Sequence, residues 1–361
     1  MLDLSLPQLQ TSAFAGRPAA APPPAPDAAR RAGHLWDSHG RRIRDLRLSI
    51  TDRCNFRCLY CLEPDTTFLP SRELVGAADH VRLARIAASL GIEKIRLTGG
   101  EPTLHPALGE IIAGVAASGV RDVAITTNGA TLERRTLERW RTLGLRRVTI
   151  SIDAVEPATF ARLTRSRYDV ARVLDGIQAT LDAGFEETKL NAVVIRGLNE
   201  DQIVPLTELA RRYDVEMRFI EFMPLDDGRE WRREDVVAAD EIVAAIDRVH
   251  RLVPAGRDDP SATALRYRFA DGAPGSIGVI APVSRPFCGA CSRLRITADG
   301  KVRPCLFSTR EYDLRPLLVA GADDDAIRQF LADATWTKQA GHGIATSAFE
   351  RADRTMSAIG G

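Results

Sequence analysis

Leu46-Arg47-Leu48-Ser49-Ile50-Thr51-Asp52-Arg53-Cys54-Asn55-Phe56-Arg57-Cys58-Leu59-Tyr60-Cys61 joins two patterns whose combination decides the fold. Residues 46–50 alternate apolar and polar, the period of a strand with one covered face. Directly afterwards, thiols at 54, 58 and 61 share one short loop. A disulfide framework wants an even count, and structural zinc wants four closed ligands. Three soft thiolates on so tight a loop suit three corners of a cubane iron–sulfur cluster, leaving a fourth iron open to a small molecule. A zinc loop completed by a distant ligand and three unrelated thiols are the alternatives.

The strand-then-loop unit recurs along the chain. Strands are expected at 46–50, 92–97, 122–127, 147–152, 188–195 and 215–221. Helices follow at about 72–90, 105–118, 131–143, 157–183, 200–213 and 233–249. Gly91, Gly119, Gly144 and Gly184 stand just past four of those helices, as C-terminal caps do. Six β-then-α units predict an α/β fold with a parallel sheet.

Parallel strands covered on both faces read as near-continuous apolar runs, whereas these alternate. Leu46, Leu48 and Ile50 oppose Arg47 and Ser49; Ile95 and Leu97 oppose Lys94, Arg96 and Thr98. Val148 and Ile150 oppose Thr149 and Ser151; Leu190 and Ala192 oppose Lys189 and Asn191; Met217 and Phe219 oppose Arg218. With helices over the apolar parity, the polar parity faces a wet, largely cationic lumen. A closed eight-stranded barrel fills its interior with side chains, so a partial (β/α)6 TIM-like barrel is expected. A sheet with one face open to solvent is the alternative, and it conflicts with a helix after every strand. The cysteine loop, Gly99-Gly100-Glu101-Pro102, Thr127-Asn128-Gly129, Asp153 and Met223-Pro224 all follow strand carboxyl ends, and so share one rim.

Four segments are expected. Residues 1–42, Ala- and Pro-rich and densest over 18–26, read as a disordered extension. The barrel occupies 43–250. From 251 to 335 the period changes: runs at 264–270 and 276–280 read as a hairpin. Cys288-Gly289-Ala290-Cys291 and then Cys305, after thirteen intervening residues, form a second triad. A zinc ribbon is the alternative there, but no fourth cysteine remains and the nearest later histidine is His342. A helix is expected over 324–334, and the tail, 336–361, ends Gly360-Gly361.

A net charge of +1 makes no electrostatic case for nucleic acid or membrane. No apolar run reaches transmembrane length, and the N-terminus lacks the basic-then-apolar order of a signal peptide. Six cysteines grouped by threes fit metal ligation in a reducing cytoplasm.

The spacing of Cys54, Cys58 and Cys61, with Tyr60 just before the third, resembles the signature of radical S-adenosylmethionine (SAM) enzymes. Both triads, the rim motifs and the final Gly-Gly together resemble the GTP 3′,8-cyclase family of molybdenum cofactor biosynthesis, over roughly 43–361. The resemblance implies two [4Fe–4S] clusters, one on Cys54, Cys58 and Cys61 and one on Cys288, Cys291 and Cys305. It implies SAM contacts from Tyr60, Gly100, Ser151 and Met223. GTP contacts are implied for Arg47, Arg96, Thr127, Lys189, Arg293, Leu294 and Arg295, with Lys94 and Arg218 as further phosphate candidates. Gly360 and Gly361 are expected to reach the catalytic centre.

The implied reaction is radical cyclisation of GTP to 3′,8-cyclo-7,8-dihydro-GTP. Its implied partners are a flavodoxin- or ferredoxin-like electron donor, a downstream cyclic pyranopterin monophosphate synthase and a second copy of the chain as a homodimer. The nearest alternative is another radical SAM enzyme with auxiliary clusters, such as a peptide-modifying one, but those usually carry more C-terminal cysteines than the three present here. Two further alternatives come from other classes. An iron–sulfur electron carrier would need neither the cationic lumen nor the GGEP turn. A zinc protein with a GTPase-like role would want a GxxxxGK[ST] phosphate loop, which is missing.

Overall fold

The structure, a computed structural model, describes residues 21–27, 33–226, 228, 230–344, 346–347 and 349–360. Two short strands, β1 (Leu35–Trp36) and β2 (Arg42–Ile43), pair antiparallel ahead of the barrel. Leu35 and Ile43 are fully buried in the main core, so the hairpin has an apolar face that anchors it. The expected boundary at residue 42 is therefore too late, and residues 33–42 belong to the fold. Residues 1–20 and 28–32 of the expected extension lie outside the described residues.

Six strands then pair parallel in chain order: β3 (Asp45–Ser49), β4 (Lys94–Thr98), β5 (Asp122–Thr127), β6 (Arg147–Ser151), β7 (Glu187–Val194) and β8 (Glu216–Glu221). Between and after them come α1 (Ala77–Ser89), α2 (Leu108–Ala116), α3 (Arg134–Thr142), α4 (Pro157–Thr164), α5 (Val170–Asp182), α6 (Ile203–Tyr213) and α7 (Ala239–Asp247). The apolar parity behaves as expected: Leu46, Leu48, Ile95, Leu97, Val148, Ile150, Leu190, Met217 and Phe219 are buried in the main core. Each such side chain contributes about 1.5–3 kcal/mol on burial.

The expected helix over 157–183 is two helices. Arg165 closes α4 in the left-handed region, at φ 46°, and Asp169 caps α5 by accepting from Arg172 N–H. The break has a local cause. Arg165 donates to Arg57 O at 2.6 Å and Leu62 O at 2.5 Å, so it leaves the helix to hold the cysteine loop at its middle and its far end. No glycine or proline marks that break in the sequence.

The later strands do not form a separate sheet. β9 (Leu252–Gly256), β10 (Ala264–Phe269) and β11 (Ser276–Ile280) are antiparallel to one another, and β11 joins β8 in parallel. β12 (Arg293–Ile296), β13 (Lys301–Arg303) and β14 (Tyr312–Asp313) do the same on the other side, with β12 parallel to β3. The result is one twelve-stranded sheet whose six-stranded arc is extended at both edges. This arrangement brings the β11–β12 loop, with its thiols, over the mouth of the arc. Three helices complete the chain: α8 (Arg315–Val319), α9 (Asp324–Trp336) and α10 (Met356–Ile359).

The amino ends of the strands close the lumen with a floor of ion pairs. Lys189 Nζ lies 2.7 Å from Glu187 and 3.2 Å from Glu216, Arg218 Nε lies 2.6 Å from Glu216, and Arg147 pairs with Asp122 and Glu187. Lys94 Nζ is 3.7 Å from both Asp45 and Asp122. Although burial opposes it, Lys189 and Arg147 hold the Glu187 carboxyl down to about 2. A carboxylate depressed on folding stabilises the native state above its unfolded pKa and loses that contribution as pH falls through the folded value. The gap in urea midpoint between wild type and Glu187→Gln, present at pH 6, should therefore close as pH falls from about 4.5 toward 2. A gap that persists at pH 2 would refute the assignment.

Candidate active site

One chamber above this floor is lined by both thiol triads. Its wall is the polar parity of the arc: Arg47, Arg96, Thr98, Thr126, Thr149, Ser151, Asn191 and Arg218. Its roof carries Cys288, Cys291 and Cys305, with Arg293, Arg295 and Lys338 beside them.

The first triad is seated by backbone. Arg57 N–H donates to Thr164 O and Leu59 N–H to Leu163 O, both at 2.9 Å, docking the loop on the end of α4. Phe56 N–H approaches Cys54 Sγ at 3.4 Å, an amide–sulfur contact of the kind that tunes cluster thiolates. Gly100 packs on the loop so closely that a Cβ there would lie 2.4 Å from Asp52 O and Arg53 O. That contact is why a glycine stands in the GGEP turn.

Glu101 ties the rim together. It accepts from Thr127 Oγ1, Asn128 N–H and Thr103 Oγ1, each at 2.7 Å, and Asn128 Nδ2 donates to Asn55 Oδ1 at 2.7 Å. Burial pushes its carboxyl up, against those bonds. Tyr60 Oη donates to Asp153 Oδ2 at 2.6 Å, and Asp153, pushed up to about 6 by burial, also accepts from Val193 N–H. Sequence reasoning placed Glu101 and Asp153 on the rim without these partners, which apart from Thr103 lie 26 to 93 residues away.

The thiols differ in charge state. Burial, then Glu101, pushes Cys54 up to about 11; burial, then Asp153, pushes Cys58 well up. Cys288 is also raised, by burial. Cys291 is the exception: despite burial, Arg293 and Lys338 hold it down to about 6. Metal binding at Cys54 and Cys58 therefore displaces protons, whereas the cations beside Cys291 favour its thiolate. The donor set fits cubane clusters. Among the described residues no group of three or more His, Cys, Asp or Glu side chains converges on one ion's position, and thiolates serving separate irons do not need to.

Arginine charge accumulates on one side of the chamber. Burial, then Arg295 and Arg293, drives Arg47 well down; burial, then Arg293, brings Arg295 down to about 10. Burial, then Arg47, brings Arg96 down to about 9. Guanidinium does not deprotonate in proteins, so these shifts describe cations crowded together out of water. Arg295 Nε and Nη1 are buried without a hydrogen-bond partner, while Arg96 is fixed by Thr126, Thr149 and Ile125 O. A wall of this kind favours an anion with several oxygens, matched to arginine forks.

Of the sequence-predicted residues, the chamber gathers Arg47, Arg96, Thr127, Arg293, Arg295, Tyr60, Gly100, Ser151 and Met223 with all six cysteines. It does not gather Lys189 or Lys94, whose ammonium groups are engaged by floor carboxylates and do not line it. Nor does it gather Leu294: between Arg293 and Arg295 on one strand it must point the other way, and it is buried in the core. The tail does enter. A Cβ on Gly360 would lie 2.7 Å from Ser49 Cβ and 2.8 Å from Thr98 Oγ1, at the carboxyl ends of β3 and β4. Arg354 latches the tail through Asp299 (2.7 and 3.0 Å) and Glu311. Gly361 lies outside the described residues. Lys338 and Arg41 were missed, because the backbone carbonyls they bond lie 34 to 299 residues away and no local motif announces them.

An open parallel barrel with a three-cysteine loop after its first barrel strand is the architecture of radical SAM enzymes. The family model described as Radical SAM superfamily matches residues 48–210, and that described as Molybdenum Cofactor Synthesis C matches 215–344. Among solved structures, Streptococcus suis SuiB bound to precursor peptide SuiA matches with TM-score 0.58 at 13% identity, covering 84% of this chain and 72% of that one. That likeness concerns the fold. Relatives named GTP 3′,8-cyclase are 43% identical in Rhodopirellula baltica (91% of this chain, 92% of the relative) and 44% in Streptomyces coelicolor (92% and 98%). A third, in Mycolicibacterium smegmatis, is 43% identical over 99% of both chains. The chain belongs to the GTP 3′,8-cyclase family, and it is an enzyme of the radical SAM class with an iron–sulfur cluster and SAM as cofactors.

Proposed function

We propose that this chain converts GTP to (8S)-3′,8-cyclo-7,8-dihydroguanosine 5′-triphosphate, the first step of molybdenum cofactor biosynthesis. The observation that carries the reading is the single chamber shared by two thiol triads and a wall of arginines, of which Arg47, Arg96 and Arg295 have no carboxylate within ion-pair distance among the described residues. Cys54, Cys58 and Cys61 hold one [4Fe–4S] cluster; Cys288, Cys291 and Cys305 hold a second. When bound, the first cluster with SAM supplies the 5′-deoxyadenosyl radical that removes the ribose 3′ hydrogen.

The protein's own residues do the placing. Tyr60, Gly100, Ser151 and Met223 contact SAM on the rim side. Arg47, Arg96, Arg293 and Arg295 take the GTP, with Thr127 reaching from the end of β5. Gly360 and the latch at Arg354 narrow the mouth and exclude water, which would otherwise quench a radical and screen the arginines. A low-potential flavodoxin- or ferredoxin-like donor, a downstream cyclic pyranopterin monophosphate synthase, a cytoplasmic setting and a homodimer belong to the same reading. Among the described residues no helix is long and apolar enough to cross a membrane.

The test is anaerobic incubation of reconstituted protein with SAM and dithionite, with and without GTP. 5′-Deoxyadenosine should rise with GTP and not with ATP. Equal amounts with and without GTP would refute the function.

A further inference from the structure

Among the described residues, six lysine and arginine side chains are buried: Arg41, Lys189, Arg295, Arg303, Lys338 and Arg354. Four have a carboxylate within 2.7 Å: Asp37 for Arg41, Glu187 for Lys189, Glu311 for Arg303 and Asp299 for Arg354. Arg295 and Lys338 have none among the described residues, and both stand beside the second thiol triad. Arg295 belongs to the arginine wall already described. Lys338 is different. It comes from the segment after α9, is 3% exposed, and lines the chamber at its roof.

An ammonium removed from water without a counter-ion is unfavourable by several kcal/mol, so something anionic is expected against it. The two bonds it makes say which anion. Nζ donates to Arg293 O at 2.9 Å and to Pro304 O. One acceptor lies two residues past Cys291 and the other directly precedes Cys305. The same segment closes on the third ligand. Arg41 donates to Gln339 O, Ala340 O and Cys288 O at 2.6, 2.9 and 2.7 Å. Gly341 sits where a Cβ would lie 3.4 Å from Cys288 Cβ. Residues 338–341 thus form a strap that touches all three thiol-bearing segments, with its charged end turned toward them.

We propose that Lys338 is the positioning and charge-balancing residue of the second cluster: it ties the Cys291 and Cys305 segments together and offsets the negative charge of the cluster they hold. The inference rests on the two-cluster reading above. A cubane with three thiolates gains one more negative charge on reduction, so a nearby ammonium favours the reduced form. Removing it makes reduction harder.

The experiment uses full-length protein in a background where Cys54, Cys58 and Cys61 are alanine, so that only the second site is read. Lys338→Gln and Lys338→Met remove the charge, and Lys338→Arg keeps it. The two neutral variants are run together so that a folding failure in one, seen by circular dichroism, leaves the other to be read. Iron content, the midpoint potential from an electron-paramagnetic-resonance redox titration and GTP affinity by equilibrium dialysis are measured on each. The expected result is a midpoint more negative in the neutral variants than in the parent, or loss of their iron, with Lys338→Arg close to the parent in both. Equal midpoints and equal iron in parent and neutral variants overturn the proposal. So does loss of iron in the neutral variants and Lys338→Arg alike with the fold intact, which would mark a purely steric role. A weakened GTP affinity with an unchanged midpoint also overturns it, by assigning the charge to substrate. A parent with no iron at all overturns the two-cluster reading itself, and this inference with it.

Discussion

Alanine at Cys288, Cys291 and Cys305 together should halve the iron of the anaerobically reconstituted protein, from about eight to about four per chain, since each cubane carries four. Formation of the cyclised nucleotide should fall to background. The separation follows from how the triads are held. The first sits on the loop after β3, docked on α4 and clasped by Arg165. The second sits on two segments, the β11–β12 loop with Cys288 and Cys291 and the turn after β13 with Cys305, clasped by Arg41 and the strap at 338–341. No hydrogen bond of one clasp serves the other, so emptying the second site leaves the first able to bind its metal. Slow SAM cleavage without GTP should therefore survive in the triple variant while its stimulation by GTP disappears. A wild type with four irons, or a triple variant that still cyclises GTP, would remove the second cluster from the account.

Arg295→Ala should move affinity and stability in opposite directions. Arg295 is buried beside Arg293, with two of its nitrogens unpartnered. Removing an unpaired buried cation relieves desolvation and repulsion, so the nucleotide-free protein should melt at a higher temperature than wild type. The same change deletes one fork from the anion wall. Truncating one partner of a buried charge pair is worth about 2–5 kcal/mol, which at about 1.4 kcal/mol per tenfold weakens GTP binding by roughly 30-fold or more. Arg295→Lys keeps the charge without the fork and should fall between the two. Melting curves with and without GTP read both effects in one experiment. A variant that is less stable without nucleotide, or that binds GTP as wild type does, would show that Arg295 serves packing instead.

Much of this site was legible before any coordinates, for a physical reason. Strand side chains alternate, so once helices are placed over Leu46, Leu48, Ile95 and Leu97, the parity of Arg47 and Arg96 leaves them only the lumen. The same rule excludes Leu294 from the chamber, since it lies between two chamber-facing arginines. Parity says which way a residue points and nothing about depth along the strand. Lys189 shares a parity with Asn191, yet it lies at the amino end, where Glu187 and Glu216 reach it first. The break between α4 and α5 was illegible because Arg165 carries no turn propensity. It adopts φ 46° for the sake of two carbonyls in a loop about a hundred residues away.

The sequence by itself determined the local chemistry: two thiol triads with their spacing, a rim of turns, and alternating strands that demand one apolar and one polar face. Periodicity and ligand type are properties of neighbouring residues, and neighbours are what a linear reading sees. Tertiary structure decided that β12 would lie against β3 and β11 against β8, and so that both triads open on one chamber. It also decided which buried cations meet carboxylates and which are left facing the site. Those outcomes depend on strand pairing between residues some 250 positions apart, where no local propensity operates and only the closing of the whole sheet selects the partner.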